Sequence, residues 1–250
     1  MQVSGRVALV TGASSGIGRA IAAELSQRGA QVKATGRDER ALRDLASRTG
    51  AEVFPGDLGD AEGVDGVAAW AAPVDILINN AGIGWAGPFQ EMKGPEMDEL
   101  VRVNLLAPLL LTRALVSQMV ARGEGYVVNV SSIAGHVGVG QEAVYAATKA
   151  ALVGFTESLS HELAGTGVRT LLVSPGVVDT PFFERAGRAY TRRFPKPIES
   201  ERVAMAVVRA IERDRTDVFV PGWMAFPARL RGAFPGLYRA LAARFGAASS

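Results

Sequence analysis

The chain has 250 residues, 48% of them hydrophobic, with 27 Lys and Arg against 25 Asp and Glu and no cysteine. That is ample for a packed core in one large domain or two small ones; interspersed charge excludes disorder along the whole chain, and the lack of cysteine excludes disulfides, thiolate metal sites and a cysteine nucleophile. The net charge of +2 hides an asymmetry, since residues 185–250 hold 13 Lys/Arg and five Asp/Glu, a net +8, against 14 and 20 in the remainder, a net −6. No recognised binding motif accompanies the basic quarter, so nucleic acid is not an expected partner.

The N-terminal "MQVSGRVALV" lacks the basic start and long apolar core of a signal peptide. "LLAPLLL" (105–111) is far shorter than the ~20 residues of a membrane span. The expectation is a cytoplasmic chain that does not cross a membrane. Runs rich in β-branched residues then alternate with helical patterns. Strands are expected near 6–11, 30–35, 51–54, 74–79, 125–131, 167–173 and 217–220, and helices near 16–28, 38–48, 60–70, 96–121, 142–164 and 199–213. Strands such as "VALV", "DILI" and "YVVNV" are apolar on both faces, as buried parallel strands are. The alternation predicts a single α/β domain of Rossmann type, a doubly wound parallel sheet of about seven strands with helices on both faces, over 1–220.

The first strand runs into "TGASSGIG" (11–18) and then a helix whose Ile17, Ile21 and Leu25 share a face. A glycine-rich strand-to-helix turn makes an anion site, because the helix start offers free N–H groups and the positive end of its dipole. It is not a P-loop, since no Lys-Ser/Thr follows the last glycine. At the end of the second strand, where an acid usually holds a free ribose 2′-OH, "VKATGR" has Gly36 and then Arg37. A guanidinium suits a 2′-phosphate, so the loop favours NADP(H) over NAD(H). Tyr145 and Lys149 stand four apart on a predicted helix and share a face; a neighbouring ammonium favours the phenolate and lowers a tyrosine pKa near ~10 toward useful acid–base strength. The only histidines, His136 and His161, have no ligand spacing, so no metal site is expected.

With "NNAG" (79–82), "VNVSSIAG" (128–135) and "YAATK" (145–149) in order after "TGASSGIG", the chain over residues 5–181 resembles the short-chain dehydrogenases/reductases. The resemblance implies that the backbone from Gly12 through Ser14, Ser15, Gly16 and Ile17 to Gly18 cradles a cofactor pyrophosphate. It implies that Ser14 and Arg37 face the adenosine 2′-phosphate, that Asp57 and Leu58 meet the adenine, and that Asn79, Asn80, Ala81 and Gly82 lie beside the adenosine ribose. "SPGVVDT" (174–180), with Pro175 and Gly176, matches the family's Pro-Gly motif, placing Val178 at the nicotinamide carboxamide and Thr180 on the cofactor. It further implies a catalytic Ser132, Tyr145 and Lys149, with Asn104 supporting a water-linked proton relay; Ser131 is expected to be structural.

The expected activity is that of an NADPH-preferring oxidoreductase interconverting a carbonyl and an alcohol in a small, apolar substrate. Two other classes stay open: a non-catalytic dinucleotide sensor or scaffold, and a membrane-surface reductase of lipid-like substrates. Residues 181–198, "PFFERAGRAYTRRFPKPI", are expected to form a substrate lid. Its Phe182, Phe183, Tyr190 and Phe194 either contact an apolar substrate or dock the lid, and its Arg185, Arg188, Arg192 and Arg193 either meet an anionic end or stay in water. Residues 221–250 read as an amphipathic extension of two short helices divided by Pro235, one with Phe226, Leu230 and Phe234 four apart and one with Leu237, Leu241 and Phe245. This basic tail suits peripheral membrane contact through 222–250, its own domain, or a partner subunit. A homo-oligomer is expected, with a dimer favoured over the family's tetramer.

Overall fold

The computed structural model describes residues 1–187, 190, 191, 194–236 and 238. Seven strands, β1 (Val7–Thr11), β2 (Gln31–Gly36), β3 (Glu52–Pro55), β4 (Ile76–Asn79), β5 (Gly125–Val130), β6 (Val168–Pro175) and β7 (Asp217–Val220), form one sheet in the order β3-β2-β1-β4-β5-β6-β7. Every neighbouring pair is parallel. The chain winds outward from β1 to β3, then returns to the other side of β1 with β4. The order reverses there, and the strands' C-terminal ends part to leave a crevice at that switch point.

Both faces of the sheet are covered, which is why its central strands carry apolar residues at consecutive positions. On one face α1 (Gly16–Gln27), α2 (Glu39–Thr49) and α8 (Ser200–Glu212) bring Ile21, Leu25, Leu42, Leu45, Val207 and Ile211 onto Val10, Ile78, Val128 and Val173. On the other, α3 (Ala61–Ala71), α5 (Ala107–Arg122) and α6 (Ala143–Glu162) bring Val67, Leu111, Leu115 and Leu159 onto Leu9, Leu77 and Val127. A fully buried leucine or isoleucine contributes about 1.5–3 kcal/mol. Local signals set the helix ends: Asp38 caps α2 by accepting from the Ala41 N–H at 2.9 Å, Asp60 caps α3 through the Gly63 N–H at 2.5 Å, and Gly50 ends α2 at φ 72°. α1 starts without such a signal. Ser15 makes no side-chain cap bond there, and its first turn holds no acid.

The helix expected over 96–121 is α4 (Gly94–Val101) and α5 joined by a π turn at Arg102–Leu106. Pro108, at the start of α5, has no N–H to give the Asn104 carbonyl, so the usual i→i−4 ladder cannot continue through this point. Together the segments make 29 helical residues, and an 18-residue stretch of them has a mean hydropathy of 1.5, enough by length and composition to cross a membrane. Leu111, Leu115 and Met119 instead lie in the core beside the sheet. After β6 comes a short helix, α7 (Phe182–Arg185), and after β7 a turn at Gly222–Met224 and α9 (Ala225–Ala233). Arg188, Arg192 and Arg193 of the expected lid, and Leu237, Leu241 and Phe245 of the expected second tail helix, lie outside the described residues.

Candidate active site

The glycine loop is shaped first by the chain's own packing. Gly12 (φ 66°) and Gly16 (φ 53°) adopt left-handed backbone, which side chains disfavour. A Cβ on Gly12 would lie 2.8 Å from Ala81 Cα, and one on Gly16 would lie 2.9 Å from Thr180 Cγ2. A Cβ on Gly18 would collide with the Asn80 amide and the Gly12 carbonyl. Thr11 closes the junction: its Oγ1 accepts from the Asn80 and Ala81 N–H groups, both at 3.0 Å, while Asn80 Nδ2 donates to Thr11 O at 2.9 Å. The β1 and β4 ends are thereby locked together, and the uncapped start of α1 faces the crevice.

At the end of β2, Gly36 leaves no room for an acid, since a Cβ there would come 3.0 Å from Ser14 Oγ. The nearby Asp38 carboxylate is engaged as the α2 cap. Arg37 projects its guanidinium to Glu99 of α4 at 3.5 Å, and both side chains are about half exposed. A positive group with an exposed carboxylate partner therefore stands at the end of β2, on the rim of the crevice.

Ser132 caps the one-turn helix Ile133–Gly135 after β5, its Oγ accepting from the Ala134 N–H at 3.1 Å. Gly135 lets α6 approach that turn, because a Cβ would sit 2.7 Å from the Lys149 carbonyl. Ser131 fastens the contact by donating to Lys149 O at 2.8 Å, the structural part expected of it. Lys149 is buried, donates to Val130 O at 3.0 Å, and holds its Nζ 5.8 Å from the Tyr145 ring centre. Burial pulls the Lys149 ammonium down to about pKa 8. It also pushes the Tyr145 phenol well above its ordinary range, against which the hydrogen bond with Ser132 acts, while Glu142 adds to the rise. Asn104 sits in the π turn fully buried, its Oδ1 accepting from the Ile83 N–H at 2.8 Å and its Nδ2 donating to Ile83 O at 2.9 Å. A Cβ on Gly82 would come 3.3 Å from Asn104 Oδ1 and 3.4 Å from Lys149 Nζ, so glycine keeps these two polar groups open to each other.

One cleft of about 1230 Å³ runs along this edge of the sheet, above the ~300–1,000 Å³ of a site for a single drug-sized ligand. Gly12, Ser14, Ser15, Gly16, Ile17, Arg37, Asp57, Leu58, Ala81, Gly82, Ser132, Tyr145, Lys149, Pro175, Gly176, Val178 and Thr180 line it. Gly18, Asn79 and Asn104 do not. Asn79 is buried under the floor, donating to Asn129 Oδ1 at 2.9 Å and Thr112 Oγ1 at 3.1 Å, while Asn80 reaches the cleft. Sequence reasoning passed over Trp85, Glu99 and Gly135; of these only the small residues of "SSIAG" carry a readable signal, that of a close helix approach.

The cleft's roof comes from α7 and its flanks. Phe182 packs over Gly84, with its ring 5.4 Å from that of Tyr145, and Phe183 follows edge-on at 5.6 Å. These aromatics dock the connection and line the cleft at once. Arg185 ties it to the glycine loop, donating to Ser15 Oγ at 3.1 Å. The described part of the tail packs on its own domain: Met224 is buried against Gly176, and Arg231 donates to His136 O at 2.5 Å.

A family model described as "short chain dehydrogenase" matches residues 6–191. The 3-oxoacyl-(acyl-carrier-protein) reductase of Escherichia coli is 37% identical over 186 residues, 72% of this chain and 76% of that protein. A solved short-chain dehydrogenase of Sphingobium yanoikuyae in complex with NADPH superposes with a TM-score of 0.83 at 28% identity, covering 92% of this chain and 96% of that one. A short-chain dehydrogenase/reductase of Burkholderia phymatum in complex with NAD reaches 0.85 at 27% identity, covering 95% and 96%.

Proposed function

The chain belongs to the short-chain dehydrogenase family, and on that premise we propose that it interconverts a carbonyl and an alcohol with NADP(H), on a small substrate whose body is apolar. One observation carries the reading: Ser132, Tyr145 and Lys149 line the same cleft that exposes the start of α1 and Arg37 at its other end. The small-residue Gly12–Gly16 loop fits a nicotinamide dinucleotide, which Gly12, Ser15, Gly16 and Ile17 would hold and which supplies or accepts a hydride when bound. Ser132 donates a hydrogen bond to the substrate oxygen, and Tyr145 gives that oxygen its proton in reduction and takes it back in oxidation. Lys149, charged, makes the buried phenol a stronger acid; neutral, it does not. The intact Ser–Tyr–Lys set argues against a non-catalytic sensor.

With Lys149 losing its proton near pH 8, kcat/KM for carbonyl reduction should hold below that pH and fall as pH rises through it. A reduction profile flat from pH 6 to about 10 would remove Lys149 from this part. The direct test follows oxidation of NADPH, and separately NADH, against aldehydes and ketones running from small and polar to long and apolar. Turnover favouring NADPH supports the proposal; dinucleotide binding without turnover of any of them counts against it.

A second assignment rests on α9 and the residue that ends it, where Phe226 and Phe234 are 70% and 62% exposed and no acid follows Asp217. Such a basic aromatic segment suits an anionic lipid surface. The native chain should float with vesicles rich in anionic lipid and lose that property when both phenylalanines become serine; a native chain that stays in the soluble fraction ends this assignment.

A further inference from the structure

The segment after β7 lies beyond the family match, which ends at residue 191, yet it lines the cleft. Trp223, Met224, Pro227 and Tyr238 line the same space as Ser132 and Tyr145. Among the described residues, Met224, Arg231 and Trp223 each tie this segment to the rest of the domain. Met224 seats on Gly176, where any Cβ would collide with its thioether. Arg231 donates to the carbonyl of His136, four residues after Ser132, and His136 is itself pinned by Ser174 Oγ at 2.8 Å and by the Phe219 ring at 4.9 Å. Trp223 stacks on Phe194 from the connection between β6 and α8, with ring centres 5.4 Å apart and planes at 22°.

That last pair is the chemical anomaly. Two large aromatic side chains, 49% and 71% exposed, are stacked at the rim of an enzyme cleft instead of being buried in a core. Exposed aromatic surface of this kind, in a cleft that Met224, Pro227, Val137 and Val139 also line, marks a place where an apolar ligand completes the burial. We infer that Trp223, held against Phe194, is the platform for the apolar end of the substrate distal to the reacting carbonyl, so that the C-terminal segment selects for chain length or ring bulk. This rests on the proposed carbonyl chemistry of the same cleft.

The test compares butanone, a long-chain methyl ketone and acetophenone in the native chain, Trp223→Ala and Trp223→Phe. Each is assayed for turnover with NADPH and, by calorimetry in the presence of NADP⁺, for ketone binding. In Trp223→Ala the kcat/KM ratio of long over short ketone should fall about tenfold, the size of one lost aromatic contact, through KM and ketone affinity more than kcat. Trp223→Phe should recover most of it. An unchanged ratio, or an equal loss on all three ketones together with weakened NADPH binding, overturns the platform. If the native chain binds the long ketone in a Trp223-dependent way but turns none over, the platform stands and the carbonyl chemistry falls.

Discussion

Tyr145→Phe should lower turnover of every carbonyl substrate by a factor on the order of 10²–10⁴, the usual worth of a placed general acid, while leaving dinucleotide affinity nearly unchanged. The substitution removes one oxygen and little else. The ring keeps its contact with Phe182 at 5.4 Å and its place beneath Lys149 at 5.8 Å, so the cleft wall retains its shape. What goes is the hydroxyl that Ser132 hydrogen-bonds and that stands to hand over the proton. Steady-state NADPH consumption, paired with NADPH binding by fluorescence, separates the two effects. Turnover within a few-fold of the native rate would show that another group supplies the proton.

Arg37→Asp should move the NADPH/NADH ratio of kcat/KM toward NADH by about a hundredfold or more. A hydrogen bond to a charged group contributes about 1.5–3 kcal/mol, and the new carboxylate both repels a 2′-phosphate and accepts from free ribose hydroxyls. Glu99 makes the argument sharper, because its carboxylate stands 3.5 Å from Arg37 and competes for the guanidinium. An exposed pair of this kind is worth about 0.2–1 kcal/mol. Glu99→Gln should therefore tighten NADPH by up to about fivefold and leave NADH almost untouched. An unaltered cofactor ratio in Arg37→Asp would mean that the guanidinium points elsewhere when dinucleotide binds.

The elements that rest on neighbouring residues were legible without coordinates. Strand–helix alternation sufficed for a parallel seven-stranded sheet, since buried strands need apolar residues on both faces and helices need a periodic stripe. The four-residue step from Tyr145 to Lys149 brought the two together because a helix turns once in about that distance. The helices expected from 38 and from 60 start there for an equally local reason, the Asp38 or Asp60 side chain reaching an N–H three residues on.

What depends on distant chain segments was not legible. Which asparagine of "NNAG" meets the cleft is decided by the pleat of β4 and its register with β5, where Asn79 faces Asn129 and turns inward. The helix expected to run unbroken through Asn104 instead expands at the turn that Pro108 imposes, which presents the Asn104 side chain to Ile83. The glycines of the first loop were read as room for a ligand; at Gly12 and Gly18 it is Ala81 and Asn80 that come close. No local pattern linked Arg37 to Glu99, or Gly176 to Met224, because each pairing follows from how whole helices settle on the sheet. Sequence by itself determined the backbone's preferred shapes and the residues able to do chemistry. Only the tertiary structure decided which of them share one cleft and that Trp223, Met224 and Pro227 help line it, since side-chain packing between elements far apart in the chain leaves no periodic trace within either.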